Sequence, residues 1–173
     1  MRRALELAAQ ADYLTSPNPM VGAVVLDASG ELAGEGFHVR AGAAHGEAVA
    51  LQRAAERARD GTLYVTLEPC SFAGRTPPCA DAVVASGVSR VVVAMEDPDR
   101  RVAGSGLDKL RAAGIEVEVG VEEGAARRLN RFYVKQRTTG LPWVTVKFGA
   151  SLDGRIATAD GESRWITGAA ARE

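Results

Sequence analysis

Apolar positions recur along the chain with two periods that alternate. Residues 2–13 carry Leu5, Ala8 and Ala9, with Asp12, at helical spacing, and SPNP at 16–19 stops the helix, because a residue before proline avoids the α region. MVGAVVLD at 20–27 is a β-branched apolar run and predicts a buried strand. ASG at 28–30 turns the chain, and ELAGEGFH at 31–38 returns as the second arm of a hairpin. A helix follows over about 46–59, with Leu51, Ala54, Ala55 and Ala58 as its apolar stripe and Asp60-Gly61 as its end. TLYVTLEP at 62–69 is a third strand, and after a proline-punctuated loop Cys79 opens a helix that Gly87 closes. VSRVVVAMED at 88–97 places three valines in succession, the mark of a strand buried on both faces. Residues 105–113 read as a helix, 115–120 as an alternating strand, and 122–136 as one helix carrying Ala125, Ala126, Leu129, Phe132 and Tyr133.

Strands alternating with helices imply crossovers and an α/β sheet covered on both faces. TTGLP at 138–142 reads as a linker, and WVTVKFG at 143–149 as a strand opening a further segment. Residues 143–173 are too few to bury an independent core, so they read as the start of a second domain. The unpaired edge of strand 143–149 is expected to pack on the first domain or on another subunit, and a homo-oligomer is the expected state.

Composition narrows the function classes. The formal net charge is −1, which gives no broad attraction to nucleic acid or anionic membrane. No apolar run approaches the ~20 residues of a membrane span. The start, MRRALELAAQAD, carries Glu6 and Asp12 and reads as an amphipathic helix, not a signal peptide. With 2 cysteines and no secretory segment, the chain points to a reducing cytoplasm.

Both cysteines follow prolines, in PCSFAGRTPPC at 69–79, and HGE stands upstream at 45–47. His45, Cys70 and Cys79 make three soft ligands. A closed structural zinc site needs four, whereas a catalytic one holds three and leaves a position for water. A helix N-terminus beneath Cys79 favours the thiolate that zinc requires, and Pro69 and Pro78 stiffen the loop. Glu47, in the first turn of its helix, can face the same space without ligating the metal and move protons there. Singly, each residue has an ordinary explanation: Glu47 as a first-turn carboxylate favouring the helix dipole, His45 as a cap, the cysteines as core. Jointly, H-x-E followed by two P-C pairs in a strand–helix context is the layout of zinc nucleobase deaminases.

At this point the sequence resembles the deaminase domain of the bifunctional riboflavin-biosynthesis deaminase/reductase. Eight residues separate the cysteines where other zinc nucleobase deaminases have two. TSPNPMVGAVV (15–25), GEGFHVRAG (34–42), YVTLEPC (64–70), Asp97-Pro98 and AGIEV (113–117) are also similar to that family, and KFGASLDGRIA (147–157) and SRWIT (163–167) resemble the opening of its reductase. The resemblance implies a three-layer α-β-α cytidine-deaminase-like domain over 1–140 and the first part of a dihydrofolate-reductase-like domain over 141–173. It implies hydrolytic removal of an exocyclic amine from a diamino, ribosylamino pyrimidinone 5′-phosphate, with zinc as cofactor and Glu47 as proton shuttle.

By the same resemblance, Asn18 and His38 contact the base or ribose, Arg75 and Thr76 meet the phosphate, and Asp97 lies near the ribosyl chain. Ser163 would contact a reductase substrate, and Gly149 and Trp165 a nicotinamide cofactor. NADPH is expected only with a full-length reductase, so no reduction is expected of this chain. The chain departs from the family at Gly46, usually alanine, which costs the helix roughly 0.5–1 kcal/mol, and at Phe72, usually histidine. Two other readings compete. A non-catalytic zinc or scaffold module has no use for Glu47, and a deaminase of a free base has none for Arg75.

Overall fold

The computed structural model describes residues 1–72, 77–100 and 102–171, and it divides into two compact units, Met1–Pro142 and Trp143–Glu173. The first unit is built on a mixed five-stranded sheet of order β2-β1-β3-β4-β5. Strands β1 (Gly22–Leu26) and β2 (Leu32–Phe37) form the expected antiparallel hairpin, with Gly22 opposite Phe37. Strand β1 also runs antiparallel to β3 (Thr62–Val65), and β4 (Arg90–Val93) and β5 (Glu116–Val119) continue in parallel.

Alternation along β1 shows the three layers. Val24 packs with Ala4 and Leu7 of helix α1 (Arg2–Ala9) on one face. Its neighbours Ala23 and Val25 join Ala50, Leu51 and Ala54 of helix α2 (Gly46–Ala54) on the other. The fold is therefore α/β, with helices on both faces of the sheet. Val91, Val92 and Val93 of β4 are all buried, as three valines in succession require. Helix α3 (Cys79–Ser86) ends on Gly87 at φ 76°, in the left-handed conformation that favours glycine. Helix α4 (Ser105–Ala112) precedes β5, and helices α5 (Glu123–Leu129) and α6 (Arg131–Thr139) follow it.

Several boundaries differ from the sequence expectation. Helix α1 stops at Ala9, four residues early, and turns continue to 17. Ala55 is exposed, not part of the apolar stripe, because its φ of 46° ends α2 and a 3₁₀ turn over Ala55–Ala58 follows. The expected helix over 122–136 is two helices. They part at Asn130, a buried side chain that accepts from the Met20 amide (2.8 Å) and donates to the Met20 carbonyl (2.9 Å). That pair of bonds fastens the break to the chain entering β1.

The strand expected over 143–149 does not form. Those residues make no ladder, and Trp143, Val144, Val146 and Phe148 are exposed. A strand needs a partner for its backbone groups. None of the described residues of the second unit is buried.

Candidate functional site

The chain leaves β3 through Thr66, Leu67 and Glu68 and reaches Pro69-Cys70. Cys79 opens α3, with Pro78 at its N-cap, and His45 stands at the N-cap of α2 without making a side-chain cap bond. Two helix N-termini and one strand exit thus converge. The imidazole Nδ1 of His45 lies 3.2 Å from the Cys79 sulfur and 3.8 Å from that of Cys70, and the three donor atoms lie within 4.8 Å of one another.

Tetrahedral zinc with bonds of ~2.0–2.3 Å sets neighbouring N and S donors roughly 3.5–3.8 Å apart, and the observed 3.2 and 3.8 Å lie within a few tenths of an ångström of that spacing. The backbone amide of Cys79 donates to the Cys70 sulfur at 3.3 Å. The Cys79 thiol hydrogen-bonded to Cys70 pulls the Cys70 pKa down and, by the same bond, pushes its own up. One thiolate therefore forms readily, and a dication would draw off the second proton.

Glu47 lies in the first turn of α2 and is 2% exposed. Its Oε2 is buried without a hydrogen-bond partner. Burial raises its carboxyl to about 7, against the lowering pull of His45. Gly46, between ligand and carboxylate, is held by contact: a Cβ there would sit 2.7 Å from the Val21 carbonyl oxygen. Any helix propensity that glycine gives up is offset by this close approach of α2 to β1.

His45, Glu47 and Cys70 line a cavity of about 330 Å³, while Cys79 is buried behind them. That volume suits a small-molecule site. Asn18, His38 and Asp97 line the same cavity, so the structure brings these three expected residues to the metal candidate. His38 is buried, and its Nδ1 lies 3.0 Å from the Ala44 carbonyl, which can only accept, so Nδ1 carries the proton. Nε2 then accepts from the Asn18 amide at 3.3 Å. Burial lowers the His38 pKa and keeps the ring neutral. Phe72, 47% exposed, lies on the cavity wall. Arg75 and Thr76 lie outside the described residues. Gly149, Ser163 and Trp165 belong to the second unit, where Gly149 lies against the Thr167 side chain.

Sequence reasoning missed four polar cavity residues: Glu68, Asp99, Tyr133 and Arg137. Glu68 is buried and accepts backbone bonds from Asp97, Gly104, Gly106 and Leu107, at 3.1, 3.0, 2.8 and 3.4 Å. It ties the exit of β3 to that of β4 and to the start of α4. A carboxylate directly before Pro-Cys was the available signal. Tyr133 donates to Asp97, and Arg137 faces Asp99 at 3.6 Å. Tyr133 gave no signal, since a tyrosine at an apolar helix position reads as packing.

Residues 1–95 fit the family described as the cytidine and deoxycytidylate deaminase zinc-binding region. The chain belongs to this deaminase family. Residues 142–173 fit a second family, the RibD C-terminal domain. The riboflavin biosynthesis protein RibD of Escherichia coli K12 is 53% identical over 172 residues, 99% of this chain and 47% of that protein. RibD of Aquifex aeolicus is 50% identical over 173 residues, covering 100% of this chain and 48% of that protein.

Among solved structures, RibD of Acinetobacter baumannii superimposes with a TM-score of 0.94 at 53% identity, over 99% of this chain and 48% of that one. The Thermotoga maritima diaminohydroxyphosphoribosylaminopyrimidine deaminase/5-amino-6-(5-phosphoribosylamino)uracil reductase gives 0.86 at 42% identity, over 97% of this chain and 48% of that one. The deaminase-family chain thus spans about half the length of these relatives. Among its described residues no helix is long and apolar enough to cross a membrane.

Proposed function

We propose that this chain is a zinc-dependent deaminase that converts 2,5-diamino-6-ribosylamino-4(3H)-pyrimidinone 5′-phosphate to 5-amino-6-(5-phosphoribosylamino)uracil in riboflavin biosynthesis. The observation that carries the reading is Glu47: a buried carboxylate with an unpartnered oxygen, on the cavity wall beside His45 and Cys70. The relatives supply the substrate class, through the name of the Thermotoga maritima protein.

In this reading His45, Cys70 and Cys79 would hold zinc, which when bound would make water nucleophilic at neutral pH. Glu47 would accept one proton from a water whose oxygen bonds to the ring carbon, deliver it to the ring nitrogen, where it stays, and then carry the second proton, from the added hydroxyl, to the departing amine. The carbon–nitrogen bond breaks, a carbonyl replaces it, and ammonia leaves. Asn18, fixed against His38, orients the base, and Asp97 accepts from the ribosyl chain. Arg75 and Thr76 are assigned to the phosphate on the resemblance alone. Residues 141–173 are read as the first part of a reductase domain, supported by the fit of 142–173 to the RibD C-terminal domain. NADPH is assigned only to a full-length reductase.

The test is ammonia release from the pyrimidine phosphate, generated in place from GTP by a cyclohydrolase. Wild type is expected to turn over, and Glu47→Gln to lose roughly 10²–10⁴-fold while keeping its zinc. Equal rates would overturn the reading. About one zinc per chain, lost in Cys79→Ala, is expected by metal analysis.

A further inference from the structure

The cavity end formed by the exit of β4 holds three carboxylates, and their hydrogen bonds separate their roles. Glu68 is consumed by four backbone amides, two on each oxygen. Asp99 faces the Arg137 guanidinium and has further partners. Asp97 remains. It is 7% exposed, and its Oδ1 accepts from the Asp99 amide at 2.8 Å and from the Tyr133 hydroxyl at 2.9 Å. The same hydroxyl lies 3.2 Å from Oδ2. A phenol has one proton, and the nearer oxygen takes it, so Oδ2 keeps acceptor capacity that no other group among the described residues uses. Asp97 and Tyr133 both line the cavity.

We infer that Tyr133 is a positioning residue, which pins Oδ1 of Asp97 so that Oδ2 is held as the acceptor for a ligand hydroxyl. An ionised carboxylate accepts only, so the group it selects is a donor, and the sugar hydroxyls of a ribosylated pyrimidine are donors of that kind. Helix α6 supplies the pin and its brace together. Arg137, one turn beyond Tyr133, lays its guanidinium 5.2 Å from the centre of the Tyr133 ring while facing Asp99 at 3.6 Å. The phenol is thereby fixed by its ring as well as by its bond. Without it, the carboxylate is held at one oxygen by one backbone amide and can turn about its terminal torsion, whose rotamers are broad.

This inference rests on the deaminase reading above. The test is steady-state ammonia release by the full chain as wild type, Tyr133→Phe, Asp97→Ala and the double variant, with zinc content and melting temperature followed in each. For Tyr133→Phe, KM for the pyrimidine ribotide is expected to rise about tenfold, the scale of one misplaced bond to a charged group, with kcat within about twofold of wild type. In the Asp97→Ala background the same change is expected to add nothing, because a positioning residue acts through the residue it positions. Wild-type KM in Tyr133→Phe, or equal effects in both backgrounds, would overturn the inference and leave the deaminase reading standing. A wild-type chain without turnover would overturn that reading, and this one with it.

Discussion

Asp97 shows how one side chain can serve a site and weaken a fold. Burial raises its pKa, and the nearby Asp99 and Glu68 carboxylates add to the rise, while the Asp99 amide and the Tyr133 hydroxyl oppose it. The folded protein therefore holds this proton to higher pH than the unfolded chain does. The stability it contributes is full below its ordinary value of about 3.9 and is lost as pH rises through the folded value. At pH 7 the charged form is a cost. Asp97→Asn keeps an oxygen that can accept from Asp99 and Tyr133 and removes the charge. Its melting temperature is expected to exceed wild type at pH 7, and the gap to close as pH falls toward 4, while substrate affinity drops. A variant that melts lower at pH 7 would show that the charged bonds outweigh the burial cost. At this scale the sequence revealed the residues whose type and spacing are rare together: His45, Glu47 and the two proline-preceded cysteines. Asn18, His38 and Asp97 came from the resemblance, and all three line the cavity. Glu68 and Tyr133 stayed hidden because their roles depend on backbone amides and a carboxylate far away in the chain.

Elements were legible where side-chain period and burial agreed, and blurred where the backbone is bent by a distant contact. The valine run of β4 and the Gly87 stop of α3 needed no tertiary information. The parting of α5 from α6 did, since Asn130 bonds to Met20, 110 residues away. The expected strand at 143–149 had the right residues but forms no ladder among the described residues. Close approaches between elements were equally invisible. A Cβ on Gly106 would sit 2.0 Å from the Pro69 carbonyl oxygen and 3.1 Å from Glu68 Oε1, so only glycine lets α4 start against the strand exit that leads to Cys70. Gly106→Ala gains up to ~1 kcal/mol of helix propensity and forces an overlap costing typically ~1–3 kcal/mol or more. Lifting the helix also strips amide donors from the buried Glu68. The expected outcome is a lower urea midpoint with an unchanged slope, together with weaker retention of zinc against a chelator. A midpoint at or above wild type would mean that the loop gives way freely.

On the scale of the molecule, core and cavity both close within the first unit. Every buried apolar residue lies between Ala4 and Ala126, and every residue lining the cavity between Pro17 and Arg137. The three candidate ligands come from α2, from the exit of β3 and from α3, all fixed by packing on one sheet. All three lie within the first unit. Residues 143–173 bury none of their described side chains, and Phe148, Leu152 and Ile156 are exposed at 72%, 110% and 62%. So short a segment cannot offset its own ordering entropy by burial alone. A chain ending at Pro142 therefore keeps every core residue and every ligand. It is expected to unfold in one cooperative transition, with calorimetric and van't Hoff enthalpies equal, and to bind one zinc that raises its melting temperature with metal concentration. Because zinc binding would be linked to the fold of this unit, stripping the metal is expected to lower the transition without broadening it. A broad, metal-insensitive transition in the shortened chain would show that the arrangement of α2, α3 and the sheet draws support from residues 143–173.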